Sequence, residues 1–153
     1  MSPLHPAYIL TTWFWVGRIP FAPGTWGSLA ALPFGWALMT YGGWLETLFA
    51  AALLFAIGCW SSAAYARGIG RKDPGSAVID EVVGQWMVLA VLPLDIWAYV
   101  MGFVLFRLFD VLKPWPVSVA DRKLTGGFGI MADDVAAALY AMAVAALLVH
   151  FFW

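Results

Sequence analysis

The fold class this sequence predicts is all-α: a polytopic membrane helix bundle of about five membrane helices, two of them short, behind an N-terminal interfacial helix. Three observations predict it. Of the 153 residues, 63% are hydrophobic and 11% charged, with 10 Trp and 11 Phe, a far more apolar composition than a soluble domain shows. Leu45 to Ala66 runs for 22 residues with Glu46 as its one charge, and a spanning helix needs roughly 20. When the apolar segments are threaded back and forth, all eight Lys and Arg fall on one side, which the positive-inside rule makes cytoplasmic. The whole chain, 1–153, reads as one domain in a bacterial inner membrane. Membrane lipids are its expected surroundings, and no nucleic-acid partner is expected.

The elements follow in order. Ala7 to Val16 is too short to span and is expected to lie in the interface or against the bundle. Arg18 follows this apolar stretch instead of preceding it, so the signal-peptide order is missing and the segment is expected to be retained. The first spanning helix starts near Thr25 to Ser28, whose hydroxyls are candidate N-caps, and ends at the turn Tyr41-Gly42-Gly43-Trp44. The second is Leu45 to Ala66. The third runs from Asp80 to Leu92-Pro93-Leu94, the fourth from Ile96 to Leu112 ahead of Pro114 and Pro116, and the fifth from Val135 to Trp153.

The third and fourth are the two short ones. Their uncharged cores, Val82 to Leu94 and Ile96 to Phe106, hold 13 and 11 residues, so they cross only if their charged ends enter the bundle. Asp80, Glu81, Arg107 and Asp110 then lie near membrane depth, where ionisable residues face a protein interior or a wet cavity. Seven of the nine acids share the basic side, leaving Glu46 and Asp95 in the outer turns. Chemistry is therefore expected at the cytoplasmic face.

Two acid pairs are placed alike: Asp80-Glu81-Val82 opens one expected helix and Asp133-Asp134-Val135 opens another. Acids at a helix start cap free N–H groups and complement the dipole, for roughly 0.3 to 1 kcal/mol each, and either pair alone is explained that way. Asp110 is not, because it lies near a helix C-terminus, where the dipole disfavours a carboxylate. Arg107 and Lys113, each three residues away, or a divalent cation, would offset it. Carboxylates from three helix ends are the hard-oxygen set that Mg²⁺ takes, commonly together with water and phosphate oxygens. The histidines, His5 and His150, are at opposite ends of the chain, and Cys59 lies mid-membrane, so neither a His site nor cysteine chemistry is supported.

Arg18, Arg107, Lys113, Arg122 and Lys123 could hold phosphate oxygens, although basic residues at an interface also bind lipid head groups or set topology. The turn APGTWGSLAAL, Ala22 to Leu32, leads into a helix whose N–H groups, with Thr25 and Ser28, could receive an anion; it lacks the P-loop lysine. LTGGFGIMADD, Leu124 to Asp134, reads as a flexible Gly-rich turn.

Four blocks in order, PFAPGTWGSL, DPGSAVIDEVVGQW, FRLFDVLKPWPVSVADR and GGFGIMADDVAAALY, resemble the phosphatidylglycerophosphatase A family of bacterial membrane phosphatases over Ile19 to about Tyr140. The resemblance implies Mg²⁺-dependent hydrolysis of phosphatidylglycerophosphate to phosphatidylglycerol and phosphate. The family's acidic and basic motif positions fall on Asp80, Glu81, Arg107, Asp110, Lys113, Asp133 and Asp134. One departure is Ala138, where the last motif usually carries glycine.

The expected chemistry is metal-assisted attack on a phosphomonoester. Asp80, Glu81, Asp133 and Asp134 would bind one or two Mg²⁺, and Arg107 and Lys113 would neutralise the phosphoryl oxygens. Asp110 would orient Arg107 or join the ligands, and Arg18, Thr25, Ser28 and Arg122 would help hold phosphate. The catalytic set is thus Asp80, Glu81, Arg107, Asp110, Lys113 and Asp134. A carboxylate nucleophile stays open, as does a different class of function, a transporter or channel passing Mg²⁺ or protons along its carboxylates.

Overall fold

The computed structural model describes residues 1–153 and is helical throughout. Helix α1, Pro6–Thr11, is opened by the His5 side chain, which accepts the Ala7 N–H at 3.1 Å, and by Pro6 at its first position. It does not continue to Val16 as the apolar run suggests. Trp13, Phe14 and Trp15 take left-handed φ of 49°, 56° and 68°, the chain turns, and a short 3₁₀ turn, Val16–Arg18, follows. Tertiary packing supports that break, because the buried Trp13 ring meets Phe34 and Trp86 edge to face.

Helix α2, Pro23–Tyr41, begins at a proline, after Ala22 in the left-handed region at φ 48°. Thr25 and Ser28 are inside the helix and cap nothing, so the expected hydroxyl caps are replaced by proline's fixed φ. Helix α3, Trp44–Ile69, starts after Gly43 at φ 97° and stops at Gly70 at φ 73°, backbone conformations that glycine adopts without strain. Its 26 residues span about 39 Å.

Helix α4, Ile79–Leu89, is only 11 residues long and ends before the expected Pro93. Ten of the 11 residues are buried, because α2, α3, α5 and α7 all pack around it. Its polar side chains, Asp80, Glu81 and Gln85, are buried along with the apolar ones. Helix α5, Ile96–Leu112, has the expected bounds: the Asp95 carboxylate accepts the Ala98 N–H at 3.3 Å, and the helix stops ahead of Pro114. A short helix not expected from the sequence, α6, Val117–Lys123, then leads into α7, Gly126–Phe152.

Helix α7 starts nine residues before the expected Val135, which moves Asp133 and Asp134 from a helix start to its eighth and ninth positions. Of the glycines that suggested a flexible turn, Gly127 serves helix packing instead. A Cβ on Gly127 would collide with the Cys59 carbonyl of α3, so only glycine lets the two backbones lie this close. Ala138, the departure from the family motif, is wholly buried in the core that α4, α5 and α7 share.

Two helices, α3 and α7, are long and apolar enough to cross a membrane, where five spans were expected. The surface agrees with a membrane setting. Phe49, Leu53, Ile57 and Trp60 form an exposed apolar stripe on α3, and Val100, Val104, Leu108 and Val111 form one on α5. Five of the nine carboxylates and the Gln85 amide lie inside. Contiguous exposed apolar faces of this kind mark contact with lipid or another apolar partner.

The Gly127 contact sets a test. Gly127→Ala should lower the thermal midpoint in detergent by several degrees, because a backbone carbonyl cannot move aside and overpacking costs about 1–3 kcal/mol. Gly75→Ala, where a Cβ meets nothing within 4 Å, should melt like the parent. Equal midpoints for the two variants would contradict the close α3–α7 approach.

Candidate active site

Three elements converge on one polar cavity. The first turn of α4 brings Asp80 and Glu81, the last two turns of α5 bring Arg107 and Asp110 with Lys113 just beyond, and α7 brings Asp133 and Asp134. All five acids are buried, Asp134 most deeply at 2% exposure. Oxygens of Asp80, Glu81 and Asp134 lie within 4.8 Å of one another, and so do oxygens of Asp110, Asp133 and Asp134. Asp134 therefore belongs to both triads.

Two cations hold this cluster. Arg107 Nη1 bonds to Asp110 and lies 3.8 Å from Glu81 Oε1, linking α5 to α4. Lys113 Nζ donates to Asp133 Oδ2 at 3.1 Å and lies 3.8 Å from Asp110 and 3.7 Å from Asp121, linking α5 to α7 and α6. Burial works against the Lys113 charge, yet Asp133 and Asp110 outweigh it and push its pKa above the ordinary lysine value. At the rim, burial and the neighbouring Asp121 raise the Asp73 carboxyl against the opposing pull of Lys113.

The cluster is incompletely satisfied. Five buried acids face Arg107 and Lys113, an excess of three carboxylates. Glu81 Oε2, Asp133 Oδ1, Asp134 Oδ2 and Arg107 Nε are buried without a hydrogen-bond partner. Buried polar groups are normally paired, so these atoms await a ligand, water or ion.

The cavity around them measures about 1130 Å³. Its inner wall is the acid cluster, and its outer part carries the exposed Arg67, Arg71, Lys72 and Arg122. Of the expected site residues it collects Asp80, Glu81, Arg107, Asp110, Lys113, Arg122, Asp133 and Asp134. Arg18 lies instead on a neighbouring cavity of about 490 Å³, which Arg71 also lines. Thr25 and Ser28 line neither, and the Ser28 hydroxyl is wholly buried without a partner. His5 caps α1, and Cys59 and His150 lie outside both cavities.

The helix-capping account of the acids survives for Asp80 and Glu81 alone. The first turn of α7 carries no acid, and Asp133 and Asp134 are two turns further in. The sequence reading missed Gly24, Arg67, Arg71 and Asp121 as cavity residues. Gly24 had a signal in the proline before it, which opens α2. A Cβ there would stand 3.0 Å from Glu81 Oε1 and 3.1 Å from Arg107 Nη1, so glycine lets α2 approach the ion pair.

Fold and cavity together define a helical protein of membrane type with an acid-lined, cation-trimmed site for a charged ligand. The chain belongs to the phosphatidylglycerophosphatase A family, a family of phosphatases whose sequence profile matches residues 9–149. Phosphatidylglycerophosphatase A of Haemophilus influenzae is 45% identical over 145 residues, covering 94% of this chain and 89% of that one. Phosphatidylglycerophosphatase A of Escherichia coli is 40% identical over 147 residues, covering 95% and 85%. No solved structure matches the chain.

If Lys113 is the counter-ion that the geometry describes, Lys113→Met should destabilise the protein by more than about 1 kcal/mol, since it leaves Asp133 without a cation and Asp110 with Arg107 alone. Adding Asp133→Asn should recover part of the loss. A double-mutant cycle on thermal or chemical unfolding in detergent measures the coupling, and additive effects would contradict the pairing.

Proposed function

We propose that this protein hydrolyses the terminal phosphomonoester of phosphatidylglycerophosphate, releasing phosphatidylglycerol and inorganic phosphate, with Mg²⁺ as cofactor. The observation that carries the reading is the pair of carboxylate triads sharing Asp134, set against Arg107 and Lys113 in one cavity. Family membership supplies the substrate: the relatives from H. influenzae and E. coli carry the name of this activity.

The residues present fit Mg²⁺. The donors are all hard carboxylate oxygens, three of those oxygens are buried without a partner, and the cluster has three acids more than cations. Asp80, Glu81, Asp133 and Asp134 would hold the ion or ions, with Asp110 available to the second triad. Bound there, Mg²⁺ supplies Lewis-acid polarisation of the phosphoryl oxygens and balances the excess negative charge.

The chain's own groups divide the remaining work. Arg107 is fixed by Asp110 and Glu81 through Nη1, which leaves its second terminal nitrogen, Nη2, to donate to a phosphoryl oxygen. Lys113 stays protonated throughout the physiological range and neutralises a second oxygen. A carboxylate of the cluster accepts the proton of the attacking water as the new P–O bond forms. The bond to the glycerol oxygen breaks, and that oxygen leaves with a proton as phosphatidylglycerol. The site would face the cytoplasm of a multi-pass inner-membrane protein, because positive-inside orientation puts all eight basic residues there, and the acyl chains can stay in the bilayer while the head group enters the cavity.

Purified protein in neutral detergent should release phosphate from phosphatidylglycerophosphate with Mg²⁺ and stop when the ion is chelated. Asp134→Asn, which damages both triads, should lower kcat at least about 100-fold. Millimolar Mg²⁺ should raise the thermal midpoint of the parent and not that of Asp134→Asn. Undiminished turnover in the variant would refute the metal reading, ion flux in proteoliposomes without phosphate release would favour a transporter, and a trapped phosphoenzyme would replace direct water attack by a carboxylate nucleophile.

A further inference from the structure

We infer that Arg67, Arg71 and Arg122 form a second phosphate subsite, which receives the internal phosphodiester of the head group and sets the preference for a lipid bearing two phosphates. The inference rests on the proposed reading of the site and deepens it. Phosphatidylglycerophosphate carries a terminal phosphomonoester and, one glycerol away, a phosphodiester to diacylglycerol. Arg107 and Lys113 lie with the buried acids, where the monoester must react. Held there by the acids and given to the monoester, they leave the diester to other cations.

The cavity's other cations are uncommitted. Arg67 and Arg71 enter no ion pair, and Arg122 is tied only through Nε to the Ser118 carbonyl at 3.2 Å, which leaves its terminal nitrogens free. They come from different elements: Arg67 from the last turn of α3, Arg71 from the loop after Gly70, and Arg122 from the last turn of α6. All three nevertheless line the cavity that holds the acids. At about 1130 Å³ that cavity exceeds the ~300–1,000 Å³ of most small-molecule sites, so it has room for a whole head group and not only for one phosphoryl. A planar guanidinium meets two oxygens of a diester side by side, and several on one rim suit a monoanionic group better than a dispersed surface charge would.

The acids give the arrangement its direction. A phosphate pushed against five carboxylates is repelled unless metal and the Arg107–Lys113 pair receive it, whereas at the outer rim Arg67, Arg71, Lys72 and Arg122 outnumber the two exposed acids, Asp73 and Asp121. A lipid with one phosphate would satisfy the inner set alone. A lipid with two gains the rim contacts as well, and that difference is what a specificity residue provides.

The test measures KM and kcat in neutral detergent micelles for phosphatidylglycerophosphate and for phosphatidic acid of the same acyl chains, in the parent and in Arg67→Gln, Arg71→Gln and the double variant. The expected result is a KM for phosphatidylglycerophosphate raised about tenfold in the double variant, with kcat within about twofold and the phosphatidic acid KM, where turnover is detectable, shifted less than twofold. Arg71→Lys should recover part of the loss. An unchanged KM for phosphatidylglycerophosphate overturns the inference, and an equal rise for both lipids overturns it too, since it would assign the rim to general attraction of anionic lipid. Absence of phosphate release by the parent protein would overturn the underlying functional reading instead.

Discussion

Five carboxylates meet inside an apolar bundle with two cationic side chains to hold them, and the rest of the structure is arranged around that charge imbalance. An ionised acid removed from water loses several kcal/mol of solvation, and a partner recovers this only with good geometry and further hydrogen bonds. Arg107 and Lys113 supply the partners, from adjacent turns at the end of α5. Arg107 reaches toward α4 and Lys113 toward α7 and α6, so the C-terminal end of α5 becomes the strut between the elements that carry the acids. The placement also answers the dipole problem at Asp110, whose carboxylate lies near the negative end of its helix with a cation on either side.

The same constraint accounts for the shape of α4. A helix that must present Asp80 and Glu81 to an interior cavity has to begin inside the bundle, and 11 residues of it cover about 16 Å. It is therefore wrapped by longer helices. Trp86 donates its indole N–H to the Ala31 carbonyl of α2, and the Val78 N–H donates to the Thr11 carbonyl at the end of α1. Gly84 lets the Phe106 ring of α5 pack directly on the α4 backbone. Apolar stripes are thereby left to α3 and α5 on the outside, and the polar atoms are gathered within. A phospholipid has the complementary division, with charge at one end and hydrocarbon at the other.

What the sequence made legible were features decided locally. The bounds of α5 follow from a capping Asp95 and a terminating Pro114, both within a residue or two of the helix they define. The Gly42-Gly43 turn ahead of α3 works the same way, whereas Gly70, which ends α3 three residues beyond the expected Ala66, is not the expected stop. The seven motif residues converged because acids and bases in so apolar a chain have few places to be. The misread features are those in which one residue type serves two purposes. Gly126, Gly127 and Gly129 look like a loop, and only the nearness of Cys59 reveals that Gly127 is a helix-packing position. Thr25 and Ser28 look like caps, yet Pro23 had already opened α2. Asp121 and Arg71 look like ordinary surface charges until α6, itself unforeseen, and the loop after α3 fold toward the cavity.

The corrected start of α7 changes the weight of the two acid pairs. At the head of α4, Asp80 and Glu81 gain about 0.3 to 1 kcal/mol each from the helix dipole, and Asp80 accepts the Glu81 N–H at 3.0 Å, so part of their presence is structural. Asp133 and Asp134, two turns into α7, gain nothing from a helix end, because dipole effects fade within the first turn. Asp133 at least has Lys113, while Asp134 has no cation of its own and an unpartnered oxygen, yet it is the most deeply buried of the five and the member common to both triads. A buried carboxyl with so little local justification is either held neutral or met by a cation. Of the cluster's acids, Asp134 is therefore the one for which the proposed cation gives a reason and neither a helix end nor an ion pair does.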